Sequence, residues 1–217
     1  MMKRLSLIAL LAVLPLVSAE EPAAPKPPEG FTALFNGKDT TGWKTTGNEK
    51  VWGAEKGVIY VEKGGGGYLM TEAEYGDFEF TADYKLSKGA NSGIALRAPM
   101  KGDPAYVGME IQLIDDEGWP GKLAEWQHTG SIYNVVSAKK QANKPIGEWN
   151  TIKITCKGPK VTVILNGETL VDANLDEFKD KVDIMKKHPG LANTKGHLGF
   201  QSYNTRVEFK NVFLKGL

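Results

Sequence analysis

FEFTADYKL, residues 78–86, decides the fold class, because Phe78, Phe80, Ala82, Tyr84 and Leu86 alternate with Glu79, Thr81, Asp83 and Lys85. Successive strand side chains point to opposite faces, so such a run buries one face and wets the other. The same period of two recurs outward at residues 93–97, 108–114, 130–136, 150–157, 160–165, 197–203 and 206–214. Gly, Asn, Asp and Pro separate the runs, and Lys157-Gly158-Pro159-Lys160 and Asn166-Gly167 have the composition of hairpin turns, where a positive φ is needed. One segment changes period: Leu175, Phe178, Val182 and Met185 are spaced by three and four between Asp176-Glu177 and Pro189, which predicts one short helix. Many antiparallel strands with a single helical insert favour an all-β fold of two packed sheets, a jelly-roll sandwich.

Composition agrees with one ordinary globular domain. The chain has 217 residues, 41% hydrophobic and 24% charged, with 25 Gly and 11 Pro. Its 27 basic and 26 acidic residues leave a net charge of +1, without the basic surplus that phosphate neutralisation by a nucleic-acid binder requires. At the start, Lys3 and Arg4 precede an apolar stretch from Leu5 to Val17 and the small residues Ser18 and Ala19, the layout of a signal peptide over residues 1–19. The stretch is too short to span a bilayer comfortably, and no later run approaches ~18 apolar residues. Export to a periplasm or the cell exterior is therefore expected, with a mature amino terminus at Glu20. EEPAAPKPPE, residues 20–29, reads as a Pro-rich linker, and residues 30–217 as the single domain. The lone Cys156 allows no intrachain disulfide and shares its face with Ile152 and Ile154, as a small core residue would.

Several signals carry no chemistry. Gly64 to Gly67 lacks the Lys and Ser or Thr of a phosphate-cradling loop and reads as a surface loop. His128, His188 and His197 lack metal-ligand spacing, and there is no G-x-S-x-G elbow.

Polar residues do gather on one predicted sheet face. In GMEIQLIDDEG, Glu110 and Gln112 oppose Met109, Ile111 and Leu113; in NSGIALRAP, Arg97 shares a face with Ala95; in HLGFQSY, Gln201 falls with His197 and Gly199. A carboxylate inside an apolar strand needs a partner, and Arg97 is the candidate for Glu110, in a site or in a purely structural ion pair. Trp119, Trp126, Tyr106 and Tyr133 are aromatics of the kind that stack on sugar rings and equally of the kind that fill sandwich cores.

Seven segments, GFTALFNGKDTTGWK, GGYLMTEAEYGDFEF, NSGIALRAP, GMEIQLIDD, TGSIYNVV, GEWNTIKITCKG with VILNG, and HLGFQSYNTRVEFKNVFL, run in order from Gly30 to Leu214. Together they resemble the 3-keto-disaccharide hydrolase family. The resemblance implies a concanavalin A-like jelly roll of the lectin and glucanase type. It also implies cleavage of glycosides first oxidised at carbon 3 by a partner sugar oxidoreductase. Where glucanases of this fold have an E-I-D-x-x-E strand, EIQLID keeps Glu110 but has Gln112 and Asp115 at the other two positions. Retaining chemistry needs two carboxyl groups ~5–5.5 Å apart, and on a regular strand Asp115 faces away from Glu110. Relatives also carry a histidine where this chain has Tyr203.

A ketone at carbon 3 acidifies the hydrogen at carbon 2, so a base can remove it and the carbon 1 substituent can leave before water adds. The candidate base is Glu110, with His128 in reserve. Arg97, Gln112 and Lys85 are the candidates to stabilise the enolate oxygen. A divalent cation on Glu110, Asp115 and Asp116 would serve the same end; no other cofactor is implied. Lys85, Asn91, Gln112, Asp115, Trp119, Tyr133 and Gln201 make up the candidate substrate-binding set. The alternatives are a non-catalytic sugar-binding module, since jelly rolls host both, and a structural envelope protein.

Overall fold

A computed structural model describes residues 26–63 and 65–217. The leader and most of the Pro-rich linker lie outside them. The strands are β1 (Thr32–Ala33), β2 (Trp43–Thr45), β3 (Trp52–Glu55), β4 (Val58–Val61), β5 (Tyr68–Thr71), β6 (Phe78–Leu86) and β7 (Asn91–Ala98). After the short helix α1 (Pro104–Val107) come β8 (Met109–Ile114), β9 (Asn150–Lys157), β10 (Lys160–Leu165) and β11 (Glu168–Asn174). Helix α2 (Val182–Lys187), β12 (His197–Gln201) and β13 (Val207–Gly216) complete the chain.

Two antiparallel sheets form, one with the order β11-β10-β9-β6-β13-β4-β3 and β1 against β13, the other β2-β5-β12-β7-β8. The jelly-roll sandwich expected from alternation is the observed architecture. Phe78, Phe80, Ala82, Tyr84 and Leu86 all lie in the core between the sheets, while the residues between them are only half-buried. Phe200 joins the layers, stacking on Trp43 of its own sheet at 5.4 Å and on Phe209 of the other at 3.9 Å. Such pairs add ~0.5–1.5 kcal/mol beyond the area they bury. Cys156 is fully buried in this core, where burial pushes its thiol up to about 12. Both hairpin turns form, with Gly158 at φ +53° and Asn166 and Gly167 at +51° and +89°.

Two sequence expectations are corrected. Residues 130–136 are not a strand: Ile132 makes single bridges to Ile111 and Val136, and the segment turns there. The single helix divides into a 3-10 turn at Leu175–Phe178 and α2, and α1 is a second short helix. Leu175 and Phe178 are buried, but Val182 is exposed, so the apolar spacing does not mark one continuous face. Among the described residues no helix is long and apolar enough to cross a membrane.

Candidate active site

The candidate polar groups gather on the outer face of the five-stranded sheet. Met109, Ile111 and Leu113 enter the core, and so do Leu69, Ile94, Leu198 and Phe200; the alternate residues therefore turn outward. Antiparallel register aligns these in two rows across the sheet. Tyr68 pairs with Gln201, and Gly93 with Gln112; Met70 pairs with Gly199, Gly199 with Ala95, and Ala95 with Glu110.

Glu110 is 2% exposed and reaches diagonally from its own row into the next. Gly93 makes this possible: a Cβ there would stand 2.4 Å from the Glu110 carboxyl carbon. Across that gap Glu110 Oε2 accepts hydrogen bonds from the Tyr68 hydroxyl and from Gln201 Nε2, the latter at 2.9 Å. Gln201 Nε2 also donates to the Tyr68 hydroxyl at 2.9 Å, which ties the three side chains together. The Tyr68 hydroxyl has a second acceptor in Asp103 at 3.4 Å. Asp103 is the N-cap of α1, accepting from Ala105 N at 3.1 Å, so the helix start holds this carboxylate at the site.

Burial raises the Glu110 carboxyl to about 8, against the lowering effect of the Tyr68 bond and with a smaller push from Asp103. Burial, and then the charge of Glu110, push the Tyr68 phenol far above its usual value, so it remains a donor. Beside this trio lies a cavity of about 350 Å³ lined by Tyr68, Gln201, Asp103, Ser202, Tyr203 and the glycine loop. That loop is closely packed: a Cβ on Gly65 would meet Ser202 Oγ at 1.7 Å, and one on Gly67, at φ +89°, would meet Gly47.

Of the residues singled out by sequence, Gln112, Asn91 and Gln201 share the outer face with Glu110. Gln112 is 1% exposed and its carboxamide oxygen has no hydrogen-bond partner among the described residues; the same holds for the Asn91 side-chain oxygen. Tyr133 belongs to the same neighbourhood: its backbone N donates to the Glu110 carbonyl at 2.8 Å, and its ring meets Trp126 edge-on at 4.9 Å. Burial raises the Tyr133 phenol, and the charges of Tyr106, Glu110, Asp103 and Tyr203 add to it.

Five of the expected residues lie elsewhere. Arg97 does not pair with Glu110. A bulge between β7 and β12 puts Arg97 at φ +47° and turns its side chain away, to Gly76 O, Gly158 O and Asp77 Oδ1, each at 2.9 Å. Lys85 lies on the outer face of the other sheet, bound to Glu208 at 2.6 Å and set over Trp149. Asp115 accepts from Gly89 N at 2.7 Å and Gly118 N at 2.9 Å, fastening the turns that precede β7 and follow β8, and lines a different cavity with Asp116. His128 pairs with Asp116 at 2.9 Å, in a network through Asn143 to Tyr84 that does not include Glu110. Trp119 is half-buried in the turn after Asp115, to whose carbonyl its backbone N donates. Glu110, Asp115 and Asp116 thus do not converge, and among the described residues no three His, Cys, Asp or Glu side chains are grouped to hold a metal.

Tyr68 and Asp103 were missed by sequence reading. Tyr68 has a faint signal, the alternation of Tyr68 and Met70 against Leu69; Asp103 has only the Asp-Pro start of a helix.

The profile of the 3-keto-alpha-glucoside-1,2-lyase-like domain matches residues 30–215. A 3-keto-disaccharide hydrolase of Bacteroides thetaiotaomicron is 29% identical over 87% of this chain and 79% of that protein. A solved Parabacteroides distasonis structure assigned as a glycosyl hydrolase is 34% identical, with a TM-score of 0.76 over 87% of this chain and 94% of its own. An endo-beta-1,3(4)-glucanase, 13% identical over 89% of this chain and 94% of its own, shares the fold with a TM-score of 0.56.

Proposed function

The chain belongs to the 3-keto-alpha-glucoside-1,2-lyase-like domain family, and from that premise we propose that it cleaves 3-keto-glycosides, 3-keto-disaccharides among them, with Glu110 as the base. It is a carbohydrate-active enzyme, a glycoside hydrolase or lyase. The observation that carries the finer reading is the buried Glu110 carboxyl, raised to about 8 and held by Tyr68 and Gln201 beside a cavity of about 350 Å³. A carboxyl so tuned ionises close to neutral pH and is basic enough to take a proton from a carbon activated by a neighbouring ketone.

Glu110 Oε2 is committed to two donors, which leaves Oε1 for the carbon 2 hydrogen. Its removal gives an enolate across carbons 2 and 3, and expulsion of the substituent at carbon 1 gives a conjugated enone. Water then adds at carbon 1, and a proton returns to carbon 2. Of the groups considered for the enolate oxygen, only Gln112 stands beside Glu110; Arg97 and Lys85 have structural partners elsewhere. Double displacement is less well served. The second carboxylate near Glu110 is Asp103, and the Tyr68 hydroxyl bonds to both, so the pair does not flank an open gap.

A sugar 3-oxidoreductase must supply such a substrate. Product analysis on a 3-keto-glucoside beside its unoxidised parent tests the proposal. Cleavage of the ketone alone, with a transient enone absorbance, is the expected result. Equal cleavage of both sugars would discard the elimination mechanism.

A further inference from the structure

Removing the carbon 2 hydrogen solves half of the reaction. The glycosidic oxygen of a sugar leaves poorly as an alkoxide, so an acid must meet it. Asp115, the second carboxyl of the sequence motif, accepts from two backbone amides and does not face Glu110. Asp103 is held as an acceptor, by Ala105 N and by the Tyr68 hydroxyl, and does not touch Glu110. Gln201 and Gln112 are amides. What remains in contact with Glu110 is the Tyr68 hydroxyl. It lines the cavity and donates to Glu110 Oε2, and Gln201 and Asp103 fix its orientation.

Resting on the reading of Glu110 as base, we propose that Tyr68 is the catalytic acid, which protonates the departing glycosidic oxygen and is itself reprotonated by Glu110. The proton balance closes within the site. The C2–H bond breaks, its electron pair forms the enolate, and the proton goes to Glu110. As the enolate collapses, C1=C2 forms and the C1–O bond breaks. The leaving oxygen takes the Tyr68 proton, and Tyr68 takes the proton from Glu110, which returns to carboxylate. No oxidant or further reactant is consumed. Part of what holds the phenol proton is the charge of Glu110, and protonation of Glu110 removes that part, so transfer from Tyr68 follows transfer to Glu110.

An acid matters in proportion to how poor the leaving group is, which separates this role from mere support of the base. Tyr68→Phe should lose about 10²–10³-fold more in kcat on a 3-keto-disaccharide than on 4-nitrophenyl 3-keto-glucoside, whose leaving group needs no proton and whose smaller loss reads only the support Tyr68 gives Glu110. In D2O the same variant should incorporate deuterium at carbon 2 of uncleaved disaccharide, since Glu110 still forms the enolate. Equal losses on both substrates with no deuterium incorporation would overturn the proposal and leave Tyr68 a positioning residue for Glu110. If Tyr68→Phe does not fold, 3-fluorotyrosine at residue 68 keeps the ring and hydroxyl while acidifying the phenol. It should then change the disaccharide rate alone, and an unchanged disaccharide rate overturns the proposal. If wild-type protein cleaves neither ketone, it is the proposed substrate class that falls, an outcome distinct from either of these.

Discussion

Glu110 should leave opposite marks on rate and stability. Acting as base, it must be ionised, so kcat/KM should climb with pH and level off above about 8. Stability runs the other way. The folded carboxyl holds its proton up to about 8 while the unfolded one loses it near 4.5, so the folded state binds more protons between those values and loses stability as pH rises through them. Glu110→Gln keeps the shape and removes the titration. It should lower turnover by ~10² to 10⁴ and flatten both profiles, so that the variant melts higher than wild type at pH 8. A variant with full activity would move the base elsewhere. An unchanged pH dependence of melting would mean that burial does not perturb this carboxyl.

At the scale of the elements, β7 serves the site by an absence and the fold by a bulge. Gly93 leaves the space through which Glu110 crosses from β8 to Gln201 on β12 and Tyr68 on β5. In Gly93→Ala the new methyl would stand 2.4 Å from the carboxyl carbon, so Glu110 has to move. We expect a folded protein whose kcat falls more than ~10-fold while KM changes little, because misplacement of a base is felt mainly in the transition state. A loss confined to KM would show that the gap accommodates substrate instead. Four residues along, the bulge sends Arg97 to the carbonyls of Gly76 and Gly158, joining this sheet to the β9–β10 turn of the other. Arg97→Gln should cost about 2–4 kcal/mol, mostly for the two carbonyls left unpaired. The Asp77 side chain, 39% exposed, returns to water at little cost. Chemical denaturation measures the loss. Activity of the folded fraction at low temperature should persist, and its disappearance would restore Arg97 to the catalytic group.

For the whole molecule, the sandwich places the Glu110, Tyr68 and Gln201 cluster on the outer face of one sheet and keeps the core between the sheets apolar. A carboxyl with a perturbed pKa can then be accommodated without disturbing the packing that holds the layers together. Lys3 and Arg4 before an apolar stretch support a proposal for where this works: we propose export, with cleavage after Ala19. Mass spectrometry of protein from the native envelope should find Glu20 as the first residue, and a cytoplasmic form retaining Met1 would end that proposal.

Local periodicity was enough for the fold. A period of two reports which side of a strand is buried, and Gly158 and Asn166-Gly167 report where strands reverse, so the sandwich, the hairpins and the outward direction of Glu110, Gln112 and Gln201 are legible in the sequence. The seven motifs from Gly30 to Leu214 likewise carry the family. Partners across strands are another matter. Alternation assigns a face but not a register, and one bulge reverses it, which is why Arg97 is expected beside Glu110 but sends its guanidinium to the β9–β10 turn of the other sheet. Tyr68 lies 35 residues from Asp103 and 42 from Glu110, and Gln201 lies 91 from Glu110, so these groups meet only through the order in which β5, β12, β7 and β8 pair. Strand order is fixed by how the two sheets close over a shared core, and only the tertiary structure records it.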